Sequence, residues 1–133
     1  MKYDKQSTMS KLESLQCGPA PQSDILKSLR ARLDFKVDPD FIKFVSRCSG
    51  AEGFISGGNY LQIWSVEDML ALNPYYPDNL ESHRLFFFGA DGSNLGYAFD
   101  KTTSEIVSID FLDIGDRQPT SLAKTFFEFI ERL

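Results

Sequence analysis

Residues 85–100 read LFFFGADGSNLGYAFD, and no other stretch limits the fold of this chain so tightly. Leu85, Phe86, Phe87 and Phe88 form an unbroken apolar run, too short to span a membrane and too continuous for a half-solvated strand. Bounded by turn residues, such a run predicts a strand buried on both faces. Gly89, Asp91, Gly92, Ser93 and Asn94 tolerate positive φ or bond to their own turn. Leu95, Tyr97 and Phe99 then alternate with Gly96, Ala98 and Asp100, the period of a strand with one well-buried face. Together they predict a β-hairpin with a loop of about five or six residues, placed in the middle of a sheet.

The rest of the chain offers elements to cover it. Ser23 is the expected cap of a helix over residues 24–34, with Ile25, Leu26, Leu29 and Leu33 on one stripe. Asp38, Pro39 and Asp40 mark a second helix start: an acceptor, a first residue lacking an amide hydrogen, and a charge that suits the helix dipole. Phe41, Ile42, Val45 and Cys48 share its apolar face, and Ser49-Gly50 is the expected glycine-type stop. Phe54-Ile55, then 60–64 after Gly57-Gly58-Asn59, read as short strands. Ser65 to Asp68 resembles a capping box whose helix ends before Pro74. Residues 105–109 read as a strand, 110–116 as an acidic connection, and 119–133 as a helix with Leu122, Phe126, Phe129, Ile130 and Leu133 in phase. Residues 1–22 are polar, with Met9, Leu12 and Leu15 sufficient for one or two helical turns. They read as a partly helical or flexible N-terminal extension to a single domain at 23–133.

A chain of 133 residues is large enough for one core without metal or disulfide staples. No apolar window is long enough for a membrane helix, and the N-terminus has lysines but no apolar run behind them, which points to the cytoplasm, or to export by a route the sequence does not show. Cys17 and Cys48 do not resemble a secreted disulfide framework; Cys48 reads as a small core residue and Cys17 as partly exposed. A bond between them is the less expected arrangement in a reducing compartment. Charge is uneven: residues 1–37 carry a net +3 and residues 38–133 a net −8. An acidic body repels nucleic-acid phosphate and favours a basic protein partner.

The order of these motifs resembles the SUKH superfamily, whose core is the Smi/Knr-type domain. The resemblance is carried by Asp38-Pro39-Asp40-Phe41, by Leu61-Gln62-Ile63-Trp64-Ser65 before an acidic helix, and by Phe87-Phe88-Gly89-Ala90-Asp91-Gly92-Ser93. It continues through Gly96-Tyr97-Ala98-Phe99-Asp100 and the segment Ser121 to Phe129, and covers roughly residues 24–133. It implies an α+β fold, an antiparallel sheet with helices packed around it. It also implies, for bacterial members, a non-enzymatic cytoplasmic immunity protein that binds and neutralises a toxin, often a nuclease, of a contact-dependent or polymorphic toxin system. Fungal members are regulators of cell-wall synthesis, so a regulatory or scaffold domain binding endogenous proteins is the alternative.

Chemistry-bearing residues are sparse. His83 is the single histidine, in a charged segment with no nucleophile motif nearby. One His and two Cys do not supply a zinc site from soft ligands. The run from Asp91 to Gly96 opens like a calcium loop, but Leu95 and Thr102 occupy ligand positions, and a hairpin turn is favoured. No phosphate-cradling glycine motif is present, so no cofactor or metal is expected. Trp64 reads as a core residue. Partner-binding residues are sought on loops and element ends: Glu52 in the turn after the second helix; Tyr75, Tyr76, Asp78 and Glu81 in a proline-bounded loop; Asp91 at the hairpin tip; Asp113 and Asp116 in the acidic connection. The expected partner is a protein toxin with a basic surface, with no direct nucleic-acid or membrane contact.

Overall fold

The computed structural model describes residues 5–56, 58–75, 85–113 and 119–133. Among these residues, seven antiparallel strands form one sheet whose spatial order repeats the chain order. They are β1 (Gln16–Cys17), β2 (Ala51–Ser56), β3 (Asn59–Ile63), β4 (Leu85–Ala90), β5 (Leu95–Asp100), β6 (Ile106–Asp110) and β7 (Thr120–Ala123). Five helices accompany them: α1 (Lys5–Glu13), α2 (Ser23–Arg32), α3 (Pro39–Arg47), α4 (Val66–Leu72) and α5 (Phe126–Arg132). This is the α+β arrangement that the motif order implies.

Strand β4 lies fourth of seven and is buried along its whole length. Its even residues, Phe86 and Phe88, join the core built by all five helices, while Leu85 and Phe87 join a second cluster with Ala98, Val107 and Ile109. Trp64 and Phe111 close that second cluster: their rings stack at 6.4 Å and 11°, and both lie beside Phe87. Gly96 is required beneath them, because a Cβ there would collide with the Phe111 ring. On the helical side Phe41 of α3 is the hub, with ring centroids 5.2 Å from Phe88, 4.9 Å from Phe99 and 5.5 Å from Phe126. Aromatic burial of this kind supplies both area and edge-to-face geometry.

Local signals explain the helix starts. Asp38 caps α3 by accepting from the Asp40 amide at 3.0 Å, and Pro39 sits at the first helical position. Its other oxygen accepts from the Phe126 amide at 2.7 Å, the first residue of α5. One carboxylate therefore serves two helix N-termini, the second through a residue 88 positions on from Asp38. Asp38→Ala should lower unfolding stability by about 2 kcal/mol, read as a shifted urea midpoint. A loss within a few tenths of a kcal/mol would mean that water replaces the carboxylate at both ends.

Several expectations are corrected. Ser23 does not cap α2; Gln22 holds the cap position without a side-chain bond, and Ser23 is already helical. Helix α3 ends at an extended Cys48, and the positive φ of Gly50 (89°) turns the chain into β2 two residues later. The hairpin loop between β4 and β5 has four residues, 91–94, closed by the Asp91 amide donating to the Leu95 carbonyl, and a β-bulge interrupts the register farther along at Phe87/Gly89. Residues 119–133 are not one helix: 120–123 pair with β6, and α5 begins only after Thr125, whose hydroxyl accepts from the Glu128 amide. Cys17 and Cys48 form a disulfide across 31 positions. Their Cα atoms lie 5.4 Å apart because β1 pairs with the start of β2, immediately after α3.

Candidate functional site

Backbone pairing decides what the β2–β3 hairpin shows to solvent. Ala51, Ile55, Leu61 and Ile63 point into the helix-covered core. Alternation then turns Glu52, Phe54, Tyr60 and Gln62 to the opposite face, where register pairs Glu52 with Gln62 and Phe54 with Tyr60. The Phe54 and Tyr60 rings meet edge-on, centroids 5.1 Å apart at 78°. The Tyr60 hydroxyl donates a short hydrogen bond to Glu52 Oε2. That bond, then burial and the Glu52 charge, hold the phenol above its ordinary pKa. Phe54 nevertheless remains 70% exposed.

Asp91 opens the neighbouring four-residue turn. Its Oδ1 accepts from the Ser93 amide at 2.9 Å and the Leu95 amide at 3.2 Å, so this carboxylate also shapes the hairpin tip. Gly92 (φ 83°) packs against Tyr60, and a Cβ there would lie 2.8 Å from the ring. Burial and the Asp91 charge raise the Tyr97 pKa on the helical side of the same turn.

The structure thus brings Glu52 and Asp91 to one end of the sheet. Glu52 lies within β2 and not in a turn after α3, which corrects the expected placement. Tyr75 stands elsewhere, ending the 3-10 turn Asn73–Tyr75 behind α4, and is 80% exposed. Asp113 ends the 3-10 turn Phe111–Asp113, beside a 76% exposed Leu112. Tyr76, Asp78, Glu81 and Asp116, together with His83, lie outside the described residues. Sequence reasoning missed Phe54 and Tyr60. The signal available was the alternation on either side of Gly57-Gly58, which opposes Phe54 to Ile55 and Tyr60 to Leu61.

Other polar groups near this end have structural work. Ser49 Oγ donates to Glu67 Oε1 at 2.8 Å and accepts from the Val66 amide at 2.9 Å, reinforcing the Ser65 cap of α4. Beside them a polar groove of about 350 Å³ runs past Glu52, Gln62, Trp64 and Asp68. Among the described residues no three His, Cys, Asp or Glu side chains converge as a metal site would require, and no helix is long and apolar enough to cross a membrane.

No curated protein matches the chain. The model of the SMI1 / KNR4 family (SUKH-1) matches residues 19–132. That match begins two residues after Cys17 and takes in every element from α2 to α5. With the α+β meander already in place, the match shows that the chain belongs to the SMI1 / KNR4 family (SUKH-1).

Proposed function

We propose that the protein is a non-enzymatic immunity protein that binds a cognate toxin, in the cytoplasm of the cell it protects, and neutralises it through an acidic surface. The observation that carries this reading is membership of a family that includes immunity proteins. The net charge of −8 over residues 38–133 supports it, because a nuclease toxin presents Lys and Arg to phosphate and a carboxylate surface meets the same side chains. Glu52, Tyr75, Tyr76, Asp78, Glu81, Asp91, Asp113 and Asp116 are the proposed contact residues. Exposed tyrosine beside carboxylates is suited to a basic protein face.

Co-expression tests the reading. Induction of the toxin encoded beside this gene should arrest growth, and the intact chain should restore it. Rescue should coincide with a stable complex on size-exclusion chromatography. If no neighbouring toxin is neutralised and pull-downs recover endogenous proteins instead, the chain is a regulatory or scaffold domain.

A further inference from the structure

The geometry points to the outer face of the β2–β3 hairpin, centred on Phe54, Tyr60 and Glu52, as a docking site for an arginine side chain on a basic partner protein. This inference deepens the immunity reading and rests on it for the identity of that protein as a toxin.

Phe54 is the first ground. Cross-strand packing accounts for the position of Tyr60, since a directly opposed aromatic pair stabilises a hairpin. It does not account for a phenylalanine left 70% exposed on a strand whose neighbours Ala51 and Ile55 are buried. A polar residue at position 54 would satisfy the alternation equally well. What remains is an aromatic ring open to solvent, held by a paired strand and by the T-shaped contact with Tyr60, and a preorganised anchor of this kind loses little entropy on contact.

Charge is the second ground. Residues 48–100 contain seven Asp/Glu and one Lys/Arg, Arg84. On the patch itself Glu52 is exposed, and Asp91 heads the adjoining turn. The Tyr60 hydroxyl occupies Glu52 Oε2, and Oε1 takes no hydrogen bond from any described residue. The phenol thus fixes the carboxylate beside the aromatic pair and leaves an oxygen for a donor from outside. A planar guanidinium stacks on an aromatic ring while its edge hydrogen bonds to a carboxylate. Lysine, a compact and strongly hydrated charge, makes one of those contacts at a time.

A titration followed by amide NMR tests the site with N-acetyl-arginine amide as the probe and N-acetyl-lysine amide as its comparison. Shifts from the arginine probe should concentrate at residues 52–54, 60–62 and 91–92, with a weaker response to the lysine probe. Phe54→Ala and Glu52→Gln should each weaken the response about threefold, with circular dichroism unchanged. Shifts spread evenly over the surface carboxylates, or a Phe54→Ala response equal to the wild type, would overturn the site. Against a toxin identified by rescue, the double variant should bind about tenfold more weakly. Equal binding would overturn this site and leave the immunity reading standing. A chain that rescues no toxin ends that reading, and the arginine titration still decides the site.

Discussion

Asn73→Ala should destabilise the protein by about 3 kcal/mol, although Asn73 lies in a short 3-10 turn. Strand β3 pairs with β4 only at Gln62–Ala90 and Ile63–Gly89, and one further bond runs from the Trp64 amide to the Phe88 carbonyl. Beyond that point the chain leaves for α4, and among the described residues no strand pairs with the β3-facing rim of β4 at Phe87. Asn73 takes the strand's place: its Oδ1 accepts from the Phe87 amide at 2.7 Å, and its Nδ2 donates to the Phe87 carbonyl at 2.9 Å. The same Nδ2 donates to the Met69 carbonyl at 2.8 Å, which anchors the amide to the end of α4. Both residues are buried. Alanine would remove all three of these hydrogen bonds at once, two of them to the buried Phe87 N–H and C=O, and a hydrogen bond lost from a buried group costs about 1–3 kcal/mol.

Asn73→Asp separates hydrogen bonding from shape. It keeps the acceptor for the Phe87 amide but aims a carboxylate at two carbonyls, so it should be less stable than wild type at neutral pH. Part of that stability should return on acidification, when the protonated acid can donate again. Urea unfolding and hydrogen exchange at the Phe87 amide measure both effects. A loss below about 1 kcal/mol for the alanine variant would show that this rim is satisfied by other means.

Opening the Cys17–Cys48 disulfide should have an effect of similar size. It closes a loop of 31 positions, for which chain entropy predicts about 3–4 kcal/mol. The loss should be local as well as global. Strand β1 has two register pairs with β2, and α1 is held by buried Leu12, by buried Leu15 just beyond its end, and by a 3.3 Å Lys11–Glu131 ion pair to α5. Cys17→Ser with Cys48→Ser should lower the urea midpoint and speed proteolysis first within residues 5–17. The Met9, Leu12, Leu15, Phe44 groove beside the bond should take up solvent at the same time. If the double variant matches the wild type in both assays, the noncovalent contacts of α1 suffice. A reducing cytoplasm holds such a pair as thiols, so the double variant also stands in for the protein in that compartment.

What the sequence revealed depends on how far each signal reaches. Asp38-Pro39 and Ser65 to Asp68 mark helix starts because a cap is a contact between residues two or three apart. The 85–88 run marks a central strand because burial on both faces leaves no polar position. The 119–133 region misleads for the converse reason. Leu122, Ala123 and Phe126 fit a helical stripe, yet pairing with β6 claims 120–123 for the sheet, and that partner lies in another segment. Thr125 and Glu128 carried the correction locally, as a capping signal at the true start of α5. The disulfide was hidden because its closeness depends on β1 docking beside β2. Among the proposed contact residues, Glu52 was legible as polar and exposed, and Asp91 as the polar, half-buried head of a turn. Their position at one end of the sheet, with Phe54 and Tyr60 beside Glu52, follows from register, which no single segment encodes.

A meander has an evolutionary property that interleaved sheets lack. Because strand order repeats chain order, the first strand occupies one rim of the sheet and the last strand the other. Material gained at either terminus can therefore be added at a rim, with no existing strand rethreaded. Helix α1 and strand β1, which precede the family match, sit at such a rim: they extend the sheet by one short strand, and a single covalent stitch fastens them to the matched domain. Such a rim can be lengthened or trimmed without touching the β4–β5 centre, because that centre shares no hydrogen-bonded edge with either rim strand.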